Sequence, residues 1–456
     1  MELHGGKPFL KISGMGNSGS GPADAENERR HFDRVLSLAL GVGTGLLSCG
    51  ASVSRVEIAV KLICLSCGAQ EVNVMALPSV IICSIRLADG SDVSQMKRNY
   101  EVGNNFRRME MYNQLSRDIC SKKLTNEEAE ERLAEINSGK GYNLPVMVIG
   151  GGLVAGAFTV YFGGSLIDGI PAFIVGGIMM YVSILLSRRE FNSYARTFVL
   201  SLTGGVLSIL ISRLLILCGA QCSVSMVMIG SIMVVVPGLL ICNAVRDMFS
   251  GDIYSGAFEL LNGFLSILAI VAGYSSSLII FRSVVVYIDA PVRTGAEYYI
   301  YAVISCLLGA CAVGIMFNCA FKKILVGVGN ILCTFIIYLL LERFNGDVFV
   351  ENFVSTLFAA FVAEILARIF KAPSTIFLVP AIIVFVPGGS LYYAMNNIVA
   401  GDLTVAASWG KAAGLSLLGI AVGISVISAF FQLIHPVKGK AALKRLLKLK
   451  NKQQGK

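Results

Sequence analysis

The chain has 456 residues, of which 55% are hydrophobic and only 15% charged, against roughly 25% charged in a soluble globular protein. That deficit excludes a fully water-soluble molecule. The net charge of +9 is not a nucleic-acid signal, because residues 438–456 alone carry eight Lys/Arg and no acid.

Residues 1–28 are Gly/Ser-rich and polar, lack the apolar core of a signal peptide, and are expected to be a flexible leader. Residues 29–143 hold much of the charge and are expected to form a small cytoplasmic α/β domain. Helices are expected over 31–49 and 52–67, strands over 71–77 and 79–87 around a turn at Pro78, and a helix over 104–122. Thr125-Asn-Glu-Glu128 is a capping box opening a further helix to Ile136. Cys64 and Cys67 have CxxC spacing, but no second pair or nearby histidine completes a zinc set, so they read as packing thiols. Ser52 or Ser54 would need an activating base to act as a nucleophile, and His31 is the local histidine; Ser52 as a helix cap is the simpler reading.

From Leu144 the chain becomes long apolar runs that reach the ~20 residues needed to cross a bilayer. Ten are expected, near 145–163, 169–187, 197–217, 224–243, 256–280, 299–318, 323–341, 351–370, 375–395 and 408–434. They fall into a first five-helix part, 144–280, a connecting loop, 281–298, and a second part, 299–434. Residues 435–456 read as a basic amphipathic tail for an anionic lipid surface. With the soluble region inside, eight basic loop residues fall on the inner side and three on the outer, which puts both termini in the cytoplasm of a cell-membrane protein.

Two segments match at an offset of 150 residues. Val234 to Asp252 and Val384 to Asp402 share seven of nineteen positions: Val234/Val384, Val236/Val386, Pro237/Pro387, Gly238/Gly388, Ala244/Ala394, Gly251/Gly401 and Asp252/Asp402. An odd number of spans per copy makes the repeats inverted, the architecture of many secondary transporters. Each Pro-Gly falls near mid-span, where proline removes an N–H and glycine permits unwinding. Freed backbone groups there must be met by protein, water or ligand. Pro237, Gly238, Pro387, Gly388 and Gly389, with Asn243, Asn396 and Asn397 in the polar stretches beyond, are therefore candidate substrate contacts; ordinary proline kinks are the plainer alternative.

Ionisable groups inside spans are functional candidates. Glu364 is either a proton carrier or the partner of Arg368 one turn on. Arg213 could meet Glu364, a substrate carboxylate, or the interface. Glu259 could serve in coupling or as an interfacial anchor, and Asp252 and Asp402 as gates or helix caps. Gly152-xxx-Gly156 and Gly419-xxx-Gly423 read as sites of close helix packing.

Together these features resemble the threonine/serine exporter family in its fused form, over about residues 31–434. The resemblance rests on Gly50-Ala-Ser-Val-Ser-Arg-Val-Glu57, the segment from Leu124 to Ile136, and the paired Pro-Gly…Gly-Asp blocks. It implies proton-driven efflux of threonine and serine. No GxSxG, HExxH or P-loop pattern occurs, so no enzymatic activity, cofactor or metal is expected, and a homo-oligomer is possible. A channel or ion exchanger of the same architecture, or a membrane-anchored hydrolase or sensor acting through residues 29–140, are the competing readings.

Overall fold

The structure is a computed structural model that describes residues 22–87, 90–100, 103–139, 141–187, 191–249, 251–281, 296–344 and 346–434. The expected tail at 435–456 and most of the loop at 281–298 lie outside the described residues. The chain divides into two compact units, the second of which runs from Tyr142 to Ala429.

The first unit contains α1 (Pro22–Ser48), α2 (Val53–Ser66), β1 (Glu71–Leu77), β2 (Val80–Arg86), β3 (Asp92–Arg98), α3 (Phe106–Cys120) and α4 (Asn126–Ser138). The strands form an antiparallel meander with β2 in the centre. Alternation on β2 buries Ile81, Cys83 and Ile85 on one face, as a half-covered strand requires. In α1, Gly43 lies against Val60 and Ile81, and Gly45 lies against the Tyr112 ring. Small residues on α1 thus let the sheet and α3 approach its backbone. Tyr112 Oη donates to Asn137 Oδ1 at 2.6 Å, and Arg108 Nε donates to Ile136 O at 3.2 Å, tying α3 to the end of α4.

Three expectations change here. The leader does not run to residue 28, because α1 starts at Pro22, a residue suited to a first helical turn. A third strand, β3, joins the expected pair; it is an edge strand with Val93 as its one buried residue, so it carries no apolar alternation. Ser52 does occupy the N-cap of α2, but its side chain makes no capping bond. The capping box is as expected: Thr125 Oγ1 accepts from Glu128 N at 3.2 Å, and Glu128 Oε2 accepts from Thr125 N at 2.8 Å. Thr125→Ala should cost about 1 kcal/mol of local stability. Faster amide exchange confined to the first turn of α4, in the full chain, is the expected readout.

The second unit contains α5 (Leu144–Tyr161), α6 (Leu166–Ser187), α7 (Ser193–Leu217), α8 (Val224–Ile232), α9 (Gly238–Phe249), α10 (Ile253–Ile280), α11 (Ala296–Met316), α12 (Phe321–Phe344), α13 (Val348–Ile369), α14 (Thr375–Ile382), α15 (Gly388–Ala400) and α16 (Leu403–Ile434). A 3-10 turn, Ile383–Phe385, extends α14. Among the described residues eight helices are long and apolar enough to cross a membrane, and the pair α14–α15, bent by 40°, makes nine. The fourth expected segment is instead two short helices, α8 and α9, interrupted at 233–237.

Close glycine crossings hold this unit together. A Cβ on Gly152 would lie 2.7 Å from Phe173 O, and one on Gly156 would lie 3.0 Å from Gly169 O. The Gly152-xxx-Gly156 stripe of α5 therefore meets the backbone of α6. Without a hydrophobic drive between helices in lipid, such contacts supply the association energy. Gly204 is similarly tight, with Met179 Sδ at 2.6 Å and Tyr274 Oη at 2.7 Å from an added Cβ. At Gly314 the nearest atoms, Ile324 Cδ1 and Cγ1, stand farther off, at 3.0 Å from an added Cβ. Gly204→Ala should therefore lower thermal stability more than Gly314→Ala, read as the melting temperature of the purified protein.

Candidate functional site

The two interruptions lie against each other. An added Cβ on Gly238 would fall inside the van der Waals surface of Val386, the residue before Pro387. One on Gly388 would fall inside that of Met233, at the start of the first break. Each Pro-Gly glycine thus receives a side chain from the other break, in a nearly reciprocal arrangement. An added Cβ on Gly389 would lie 3.2 Å from the Phe162 ring. Sequence reasoning placed bulk-sensitive backbone at these glycines. In this conformation the neighbouring volume is filled by side chains rather than open.

Beside the second break, Ser416 Oγ on α16 donates to Phe385 O at 2.9 Å. Away from the break, Asn330 Nδ2 on α12 donates to Ala359 O and Phe377 O, both at 3.2 Å, and so links α12 to α13 and α14. The Ser416 bond meets one backbone carbonyl beside the break within the protein, as an apolar surrounding requires.

The matched Gly-Asp blocks form the same turn twice. Gly251 (φ +98°) and Gly401 (φ +87°) are left-handed. Gly251 N donates to Met248 O and Asp252 N to Asp247 O; Gly401 N donates to Ile398 O and Asp402 N to Asn397 O. The identities at these positions are turn chemistry. Asp402 Oδ1 accepts from Thr404 Oγ1 at 2.7 Å and Val405 N at 3.1 Å, and these bonds hold its carboxyl below the usual range. Asp402 thus caps the first turn of α16. Asp252 occupies the same position on α10 without a side-chain capping bond.

The remaining ionisable candidates separate. Glu364 pairs with Arg368 at 2.9 Å on the same helix. Arg213 makes no ion pair among the described residues. Glu259 lies on α10 within electrostatic reach of Arg246 and Asp247 of α9, and its Oε2 is buried with no hydrogen-bond partner. Arg246 and Asp247 form a 3.3 Å pair with side chains only 14% and 4% exposed. At the 150-residue offset these three positions become Asn396, Asn397 and Trp409. There Asn397 Nδ2 donates to Tyr393 O at 2.8 Å, and Tyr393 stacks on Trp409 at 4.8 Å. Asn243 is half-buried in α9 at the position matched by Tyr393.

Several polar residues were missed in the sequence. Asp168 is buried and accepts from Ser165 N at 2.6 Å and Ser223 N at 2.6 Å, pinning the start of α6 to that of α8. The Ser165-x-x-Asp168 spacing is a capping-box signal that could have revealed it. Asn330 is a lone amide within an apolar span, and Asn352, Ser355 and Thr356 share one face of α13; that periodicity was visible.

In the first unit, Gly50 (φ +85°) turns the chain, and Glu57 Oε1 accepts from Ala76 N at 2.9 Å, so that motif braces α2 on β1. About 25 Å of helix α1 separates His31 from the turn before Ser52, at 1.5 Å per residue, so that serine–histidine pairing is not formed. Cys64 and Cys83 are buried free thiols in contact, and burial pushes the Cys67 thiol up to about 11, away from nucleophilic character.

Long apolar helices, glycine crossings and two interrupted helices define a polytopic helical membrane protein of multi-pass type. A family model for threonine/serine exporters matches residues 37–281, and a second, "Threonine/Serine exporter, ThrE", matches residues 302–430. The chain belongs to the threonine/serine exporter family. It is 22% identical over 404 residues to the threonine/serine exporter of Corynebacterium glutamicum, covering 85% of this chain and 81% of that protein. No solved structure matches. Family membership implies a transporter rather than an enzyme.

Proposed function

We propose that this chain is a secondary active transporter of the cell membrane that exports threonine and serine, driven by the proton gradient. The observation that carries this reading is the reciprocal packing of the two Pro-Gly breaks, in a chain of exporter ancestry. Broken helices meeting at mid-depth can offer N–H groups to a substrate carboxylate and carbonyls to its ammonium without a buried fixed charge. Pro237, Gly238, Pro387, Gly388 and Gly389 would line that site once Val386 and Met233 withdraw. Asn243, Asn396 and Asn397 would lie along its approaches.

In this reading α8–α9 acts as one interrupted span like α14–α15, giving two inverted five-span halves with both termini in the cytoplasm. The seven identities between residues 234–252 and 384–402 support the repeat. The basic tail would rest on anionic lipid. Tags near Gly346 and Asn397 should then be labelled from outside, and tags at Asn192 and Lys371 should not. Labelling of all four from outside would refute this topology.

For coupling, Glu259 is better supported than Glu364. The former has a buried oxygen without a partner, and the latter already has Arg368. The transport test uses cells loaded with dipeptides, with and without the protein, followed for efflux of each of the twenty amino acids. Threonine and serine should leave faster with the protein present, and a protonophore should remove the difference. Ion flux independent of amino acids would support a channel instead.

A further inference from the structure

Asn352, Ser355 and Thr356 lie at i, i+3 and i+4 on α13 and so share one face. They are 2%, 0% and 0% exposed. Asn352 Oδ1, Ser355 Oγ and Thr356 Oγ1 are each buried without a hydrogen-bond partner. Several hydroxyls elsewhere in these helices bond back to the carbonyl four residues earlier, as Thr159, Thr203, Ser208 and Ser425 do, while Ser212 on α7 is a further buried hydroxyl without a partner. Ser355 and Thr356 lack that bond. The Asn352 side-chain amide does donate, to Val348 O at 2.7 Å, which leaves its oxygen as the orphan.

Helix α16 covers this face. A Cβ on Gly419 would lie 2.7 Å from Phe349 O and 3.2 Å from Asn352 Cβ. One on Gly423 would lie 2.9 Å from Phe353 O and 3.1 Å from Thr356 Cβ. One turn before Gly419, Ser416 bonds the carbonyl of Phe385, so the covered face adjoins the second break. The first half repeats the crossing. Gly273, which precedes Gly423 by the same 150 residues, would place a Cβ 2.7 Å from Phe198 O and 2.6 Å from Ser201 Cβ. Ser201 Oγ is also buried without a partner.

An unmet buried hydroxyl costs stability that an alanine or valine would not. Orphans at both matched crossings therefore point to groups that find their partners in another state. We propose that Asn352, Ser355 and Thr356 are substrate contacts that recognise the side-chain hydroxyl of the exported amino acid. Gly419 and Gly423 cover them here, and they are bared when α16 parts from α13. The proposal rests on the transport reading above and adds the determinant of substrate choice.

The test uses purified full-length protein in proteoliposomes and measures counterflow of threonine against competing threonine and valine, which match in shape and differ by the hydroxyl. Wild type should prefer threonine. Thr356→Val, Ser355→Ala or Asn352→Leu should reduce that preference by about tenfold in at least one variant, the effect of one lost hydrogen bond. Substrate-free melting temperature should hold or rise in the affected variant, because an orphan has been removed. A preference unchanged in every variant that gives monodisperse protein overturns the proposal and leaves these residues as packing. Wild type that exchanges neither threonine nor valine overturns the exporter reading instead, and separates the two failures.

Discussion

Leucine at Gly238 or Gly388 is expected to reduce threonine and serine transport by at least about tenfold and to weaken substrate binding by a similar factor. At both positions even a single methyl group would collide with a side chain from the opposite break. The two sites differ in what can yield. Val386 is β-branched and stiff, so Gly238→Ala already has to move backbone. Met233 meets Gly388 through a flexible thioether, which can rotate away. Gly238→Ala should therefore impair transport more than Gly388→Ala, while both leucine variants are severe. The measurement is threonine and serine binding to monodisperse protein, alongside efflux. Unchanged affinity in both leucine variants would mean that the breaks are ordinary kinks remote from the substrate.

The breaks themselves were legible because proline and glycine act through backbone chemistry that any sequence displays. Their recurrence at one spacing made them more than a single kink. What crosses between them was not legible. Nothing near Val386 or Met233 in the chain announces that each faces the glycine of the other block, since that depends on tertiary placement. The Thr125–Glu128 capping box was legible for the same local reason, and its bonds are those expected. By contrast β3, Asp92–Arg98, offers one buried valine among polar neighbours, and the start of α1 carries helix formers without an apolar period. Asp402 read as either a gate or a helix cap because it closes a matched block. Its match proved to lie in a left-handed glycine turn followed by a cap, a local need that repeats wherever a helix ends this way. The ionisable residues divided by partner, which spacing alone reveals only when the partner is a turn away, as Arg368 is from Glu364.

Glu259→Gln should abolish proton-driven efflux while sparing exchange of one amino acid for another. Glutamine keeps the size of the side chain and fixes it in a neutral form, so a carrier of protons would be locked in one charge state. The position suits the task. Glu259 has a buried oxygen without a partner beside the Arg246–Asp247 pair, whereas its counterpart in the second half is Trp409, stacked on Tyr393. One half thus holds a titratable cluster where the other holds amides and aromatic rings. An inverted repeat would set these at opposite ends of the path and make one end alone sensitive to protons. Glu364→Gln is the control, since it removes an ion pair that is closed within one helix. In proteoliposomes, Glu259→Gln should show serine-for-threonine exchange near the wild-type rate but no response to an imposed pH gradient, with Glu364→Gln retaining both. Gradient-driven efflux intact in Glu259→Gln would remove Glu259 from coupling, and loss of it in Glu364→Gln alone would return that role to Glu364.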